Sequence, residues 1–270
     1  MRIFSAISFV ILFVVLFYCC VEKTRPESHE PLQYVGSDKC QSCHAGTFEK
    51  FAGSDHAHAM DSALPRSVKG DFNDSRFVWL GDTSRFYRKG SQYYVQTLDS
   101  TGKQSEFLVS YTFGWQPLQQ YLVQFPDGRI QTLPFCWDTR PKEQGGQRWY
   151  HIYGKEKIRP GDELFWTGIN QNWNNMCGDC HTTNYKKQFD IGSNTFRSSW
   201  GEGRVSCESC HGPASGHISW TTNKSPGDSL KGFGFDLAGP KLSWTMNPAK
   251  GIAYPDKHFS NTVLIETCAR

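Results

Sequence analysis

The chain has 270 residues, of which 20% are charged and 38% are hydrophobic, and this length is enough for a domain with a packed core. The formal charge of +3 is too small to indicate a nucleic-acid-binding protein, and a mean hydropathy of −0.55 excludes a polytopic membrane protein. Ten cysteines and nine histidines are the unusual feature of the composition, so their positions carry most of the functional information.

The first residues, 1–20, predict a secretory signal peptide. Arg2 supplies a positive start, an almost wholly apolar run extends from Phe4 to Tyr18, and polar sequence follows directly. The run is short for a membrane span, and a retained anchor helix is the alternative. Cys19 and Cys20 close the run, and the residues leave open whether Cys20 carries a lipid anchor or has no role.

Six of the ten cysteines fall into three copies of the pattern Cys-x-x-Cys-His, here called motifs 1, 2 and 3. They are Cys40, Cys43 and His44 (motif 1), Cys177, Cys180 and His181 (motif 2), and Cys207, Cys210 and His211 (motif 3). At this cysteine and histidine content, chance would produce roughly 0.01 copies in a chain of this length. The pattern is the attachment site of c-type haem, because two thiols three residues apart share one side of a helical turn and the next histidine can bind the iron. The sequence therefore predicts three covalently bound haems c.

Two other uses of paired cysteines fit the motifs less well. A zinc site would need two pairs to converge, and the histidine after each pair would have no role. A disulfide within Cys-x-x-Cys closes a very small loop and stabilises the protein little. Neither alternative explains three identical copies.

Two cysteines lie outside both the motifs and the signal peptide. Cys136, between Phe135 and Trp137, predicts a buried small apolar residue. Cys268 is followed only by two residues, so the chain ends on the first three residues of a further Cys-x-x-Cys-His. We therefore expect a sequence truncated within a fourth, incomplete haem site, with an isolated cysteine as the alternative.

A low-spin haem iron needs a second axial ligand, usually histidine or methionine. Outside the motifs the chain has six histidines: His29, His56, His58, His151, His217 and His258. His56 follows the helix expected to carry motif 1, and His217 follows motif 3 across a glycine-proline turn that can direct it to a neighbouring haem. His56, His217 and His151 are the candidate distal ligands, although His151 lies in an aromatic stretch and equally fits a packed core residue.

The remaining pattern predicts an α+β fold with much irregular structure around the haems. Residues 21–33 are polar and contain two prolines, so they predict a flexible tether before a multihaem domain at 34–270. A short helix is expected over 38–52, N-capped near Ser37 or Asp38 and ending at Gly53. Alternating segments separated by turns such as Pro-Asp-Gly predict an antiparallel β-meander of four to six strands inserted at about 72–135.

Several of these segments carry a family resemblance. Residues 34–44, together with the His56 segment, resemble multihaem cytochromes of the cytochrome c-554 type. Residues 111–121, 137–141 and 171–177 are similar to one secreted bacterial branch of that type, which is often fused to tetratricopeptide repeats. The resemblance covers about 34–270. It implies that His56 and His217 are distal ligands and that a complete further motif follows the position of Cys268.

Two classes of function are consistent with these features. The first is a c-type cytochrome in the periplasm or on the outer cell surface, which relays single electrons between redox partner proteins. The second is a haem enzyme, a reductase or oxidase of small nitrogen or sulfur compounds, which needs one iron with an open distal face. The number of spare histidines favours the relay.

Overall fold

The computed structural model describes residues 31–224, 226–234 and 243–256. The described residues from Gln33 onward belong to one compact unit. Several sequence-based predictions lie outside the described residues: the signal peptide, Cys20, His29, His258 and Cys268. No helix within the described residues has the length and apolar character that a bilayer crossing requires.

A large antiparallel sheet occupies the middle of the chain, with strand order β2-β3-β4-β5-β6-β7-β8 and with β1 paired to β5. The strands are β1 (Met60–Ser62), β2 (Ser75–Trp79), β3 (Asp82–Lys89), β4 (Gln92–Leu98), β5 (Gln104–Phe113), β6 (Leu118–Gln124), β7 (Ile130–Asp138) and β8 (Arg148–His151). The predicted meander is therefore present between motifs 1 and 2, and β1 and β8 extend it beyond the expected bounds.

The sheet forms because alternate residues of its strands can be buried on one face. Along β4, for example, Tyr93, Val95 and Thr97 are buried while the intervening side chains are not. The turn between β6 and β7 needs Gly128, whose φ is 80° and whose Cβ, if present, would lie 1.9 Å from the Phe196 carbonyl oxygen. A glycine at this position therefore fixes the hairpin that the Pro-Asp-Gly pattern predicts.

Aromatic side chains fill the interior of the sheet. Phe86 stacks on Trp149 with ring centroids 3.8 Å apart, and Phe72 contacts both rings edge-on. The Trp149 indole N–H donates to the Ser75 hydroxyl at 3.1 Å, which brings β8 close to β2. Cys136 is 1% exposed, so the prediction that it is a buried small residue is confirmed.

Short helices carry the three motifs. The helices are α1 (Ser37–Gln41), α2 (Ala45–Ala52), α3 (Trp173–Met176), α4 (Gly178–His181), α5 (Cys207–His211) and α6 (Ser215–Thr222), and single 3₁₀ turns occur at Asp55–His58, Lys142–Gln144 and Ile169–Gln171. Two small hairpins complete the described structure: β9 (Phe189–Asp190) with β10 (Thr195–Phe196), and β11 (Trp244–Asn247) with β12 (Ile252–Pro255). This mixture of helices and antiparallel sheet confirms the predicted α+β class.

The helix expected over 38–52 is interrupted. It divides into α1 and α2 at His44, whose φ of −117° and ψ of 39° are not helical, and it ends at Gly53 as predicted. Ser37 does not cap α1, because its N–H and hydroxyl both donate to the Glu202 carboxylate. A long-range contact that the local sequence does not encode has replaced the expected cap.

Candidate haem sites

Each motif forms one helical turn. In motif 1 the His44 N–H donates to the Cys40 carbonyl at 2.9 Å, and in motif 2 the His181 N–H donates to the Cys177 carbonyl at 3.1 Å. Motif 3 is the whole of α5. The six motif cysteines are free thiols. One helical turn brings residues three and four positions apart to the same side. In motif 1 both thiols and the imidazole line one cavity, whereas Cys207 and Cys210 of motif 3 border different cavities.

Buried amides fix motif 2 against the large sheet. Asn174 in α3 is 1% exposed, and its side-chain oxygen accepts the Ile130 N–H of β7 at 2.7 Å. The Asn172 amide donates to the Gln131 side chain at 2.9 Å. Inside the motif, a Cβ at Gly178 would lie 2.8 Å from the Tyr185 ring, so this position needs glycine.

Motifs 1 and 3 line one cavity of about 380 Å³, here called the motif 1–3 cavity. Its lining includes Cys40, Cys43 and His44 from motif 1, Cys207 and His211 from motif 3, and His217, Phe48, Phe51 and Phe233. Burial, followed by the adjoining Cys207 thiol, raises the pKa of Cys40. The first cysteines of two motifs that are 167 residues apart therefore meet in this cavity.

His217 lies opposite His44 in the motif 1–3 cavity. The two ring centroids are 6.3 Å apart and the ring planes differ by 23°. The His217 Nδ1 atom lies 2.8 Å from the Lys231 carbonyl, so Nδ1 carries the proton and Nε2 is the nitrogen left for a metal. This is the arrangement in which a backbone acceptor orients a ligating imidazole.

His211 belongs to the same cavity. Its ring centroid is 5.5 Å from that of Phe233. Burial lowers the pKa of His211, and His217 and His44 lower it further. Because a neutral imidazole is the form that binds metals, this environment favours His211 as a ligand.

His56 and His181 line a second cavity, of about 600 Å³, here called the motif 2 cavity. Burial is the main cause that lowers the pKa of His181. The Ala59 carbonyl raises this pKa in part, and the nearby His56 lowers it further. The Nδ1 atom of His181 is buried without a hydrogen-bond partner of normal geometry among the described residues. His56 is thus the candidate distal histidine that the fold brings to motif 2.

The turn between β5 and β6, residues 114–117, forms one wall of the motif 2 cavity. Phe113 precedes the turn, and its ring centroid lies 4.5 Å from that of His181. Trp115 is held between the His58 ring, 3.9 Å away, and the Lys69 ammonium, 3.5 Å away. The large sheet therefore encloses one side of this candidate haem site.

The third distal candidate, His151, lies apart from all three motifs, so the structure does not support its assignment as an iron ligand. Its ring stacks on Trp79 with centroids 3.5 Å apart, and its Nδ1 accepts the Tyr153 N–H at 3.2 Å. Burial lowers the pKa of His151 to about 4. His151 is a packed core histidine because the aromatic interior of the sheet surrounds it.

Sequence analysis missed two carboxylates at the motifs. Glu208, at the second position of motif 3, is only 2% exposed, and Glu202 accepts the two bonds from Ser37. The motif does not specify the two x positions of Cys-x-x-Cys-His, so an acidic residue at one of them does not indicate that its side chain is buried. Only the folded chain shows that backbone N–H groups surround the Glu208 carboxylate.

The residues present fit covalent haem better than zinc. Among the described residues, no three His, Cys, Asp or Glu side chains converge as a metal-binding group, which is what a zinc site requires. The motif thiols instead border two large cavities, each of which contains a motif histidine and a second histidine on another segment.

The family described as cytochrome c554 and c-prime matches residues 39–76 and 147–212. These two segments contain all three motifs and His56, and they agree with the resemblance found in the sequence. Together the two matched segments support a c-type cytochrome of the c-554 type. Covalently bound haem c is the cofactor of this family. The unmatched residues 77–146 of the cytochrome hold most of its large sheet.

One solved structure, titled outer cell wall cytochrome OcwA, is similar to the cytochrome with a TM-score of 0.44 and 17% sequence identity. The similarity covers 71% of this chain and 34% of that chain, so this chain spans about a third of the length of OcwA. No curated protein sequence matches the cytochrome.

Proposed function

We propose that the cytochrome carries one haem c on each of motifs 1, 2 and 3 and transfers single electrons through them. The observation that carries this proposal is the convergence of motifs 1 and 3, with His217, on one cavity. When bound, each haem supplies an iron that accepts and releases one electron. The protein holds these groups in fixed positions and sets their potentials.

The residues have distinct roles in this proposal. The motif cysteines would form the thioether bonds, and His44, His181 and His211 would each bind the iron of their own motif's haem. His217 would supply a second ligand to the iron held by His44, and His56 would do so for the iron held by His181. Both distal residues lie outside the motifs in sequence, and backbone contacts fix their segments: the Lys231 carbonyl orients the His217 ring, and the His56 carbonyl accepts the Val205 N–H at 3.1 Å.

Helix α5 connects the two candidate sites. Cys207 and His211 border the motif 1–3 cavity, whereas Ser209 and Cys210 border the motif 2 cavity. An α-helix with its side chains is about 10 Å across, so one helix separates the two cavities. This spacing supports a relay in which the cofactor groups are near neighbours.

A haem enzyme that reduces or oxidises small nitrogen or sulfur compounds is the second candidate. It is favoured by polar side chains in the motif 2 cavity, namely Tyr34, Asp55, Gln116, Asp179 and Asn184. Such groups can donate or accept protons and hydrogen bonds near a substrate. Iron ligation by His56 would close this site, so binding of nitrite or cyanide to the ferric protein distinguishes the enzyme from the relay.

The proposal includes export of the cytochrome to the periplasm or the outer cell surface. Its partners there would be redox proteins and not nucleic acid. It is supported by the predicted signal peptide and by the thioether chemistry of c-type haem. Lipidation of Cys20 would anchor the cytochrome to a membrane. Cell fractionation of the wild type and of C20S tests the anchor, because a lipidated protein leaves the membrane fraction when this cysteine is replaced.

The decisive experiment is the intact mass and the pyridine-haemochrome spectrum of protein made in a host with c-type maturation. Three haems per chain are expected, and a reductive titration should consume three electrons, one for each motif. The double variant C177A/C180A serves as a control and should lose one haem. A wild-type protein with no covalent haem would refute the proposal.

A further inference from the structure

The Glu208 carboxylate is the central contact between the segments that carry motifs 1 and 3. Its Oε1 accepts the Val35 N–H at 2.9 Å and the Ala214 N–H at 2.9 Å, and its Oε2 accepts the Gly36 N–H at 2.8 Å. The side chain is 2% exposed and lines the motif 1–3 cavity. Three backbone N–H groups from two separate segments thus converge on one buried carboxylate.

These bonds hold the chain that leads directly into motif 1. Residues 33–37 precede Cys40, and they are bound at three successive points. Gln33 exchanges two hydrogen bonds with Ser215, at 2.8 and 3.1 Å. Glu208 then binds the Val35 and Gly36 amides, and Glu202 binds Ser37. The segment that leads into α1 is therefore fixed to motif 3 and to the residues on either side of it.

The two carboxylates differ in their electrostatic surroundings. Glu202 lies 2.9 Å from the Arg204 guanidinium and lines a different, outer cavity. In the described part of the chain no lysine or arginine forms an ion pair with Glu208. Burial and the Cys207 thiol are the main causes that raise the pKa of Cys40 in motif 1, and the charge of Glu208 adds to them more than that of Glu202 does. Burial, followed by the charge of Glu208, raises the pKa of Tyr34.

We propose that Glu208 is a positioning residue with an electrostatic role: it sets motif 1 against motif 3 and places a negative charge, without an ion-pair partner among the described residues, beside the haems of the motif 1–3 cavity. This inference rests on the proposed haem occupancy. A ferric haem carries one more positive charge than a ferrous haem, so the carboxylate stabilises the oxidised state and lowers the reduction potential of both groups.

The test is a redox titration of haem-loaded E208Q compared with the wild type. We expect two of the three redox transitions to shift to higher potential and the transition of motif 2 to stay in place. E202Q is the matched control, since it also loosens residues 33–37 but removes a charge outside the cavity, and its shift should be smaller. Equal shifts in E202Q and E208Q, or an unshifted E208Q, would overturn the electrostatic role.

A second measurement needs no variant, which matters if E208Q does not mature. Hydrogen exchange in the wild-type protein should show the Val35, Gly36 and Ala214 amides protected as strongly as those of the large sheet, although none of them lies in a strand. Fast exchange at these amides would overturn the positioning role. Failure of the proposed haem content would instead appear in the intact mass, so the two outcomes are separate.

Discussion

Replacement of His217 by alanine tests the proposed distal ligation of motif 1. The His44 and His217 ring centroids are 6.3 Å apart. Two metal–imidazole bonds of about 2 Å, with each nitrogen about 1 Å from its ring centroid, span roughly 6 Å across one iron. Both rings can therefore bind the same metal without a shift of the backbone, and H217A should remove one ligand from one iron only.

With three haems per chain, about one third of the ferric haem should change from low to high spin in H217A. Electron paramagnetic resonance and the visible spectrum measure this fraction, and added imidazole should reverse the change. H217M should instead keep the iron low-spin and raise its potential, because methionine ligation raises haem potentials.

H151Q is the matched control for H217A, because His151 stacks on Trp79 away from the motifs. It should leave the spin state of every iron unchanged. A fully low-spin H217A protein would refute the assignment. The assignment would also be refuted if the high-spin signal of H217A disappeared when C177A/C180A was added to it, because that signal would then belong to motif 2.

Three further predictions concern the rest of the molecule. In Gly70→Ala the new Cβ would lie 2.5 Å from the Tyr121 hydroxyl, so thermal unfolding should show a loss of about 1–3 kcal/mol, whereas Gly46→Ala, with no atom within 4 Å, should lose nothing. Burial raises the pKa of Cys136 to about 12, so iodoacetamide at pH 8 should label this thiol only after denaturation, as mass spectrometry would show. Burial lowers the pKa of His151 from 6.5 to about 4, so the unfolded chain binds a proton that the folded chain does not. Stability should therefore fall as the pH drops from about 6.5 to 4, and a chemical-denaturation series should show a flatter dependence for H151Q.

Covalent haem attachment can be predicted from the sequence because the motif that specifies it is local. Two thiols and an imidazole within five residues define each site, and one helical turn is enough to align them. The meander was also predictable, since strand alternation and turn residues such as Gly128 act over a few positions. The helix through motif 1 was predicted less well, because Glu202 binds Ser37 from 165 residues away.

The sequence by itself thus determined the cofactor class, the number of Cys-x-x-Cys-His motifs and the presence of the sheet. Tertiary structure alone decided that His217 faces His44, that His56 shares a cavity with motif 2, and that His151 belongs to the aromatic core. It also revealed the buried carboxylate of Glu208 between two motifs. The physical reason is the range of the interactions: attachment depends on neighbours along the chain, whereas axial pairing and buried charge depend on segments that meet only when the chain is folded.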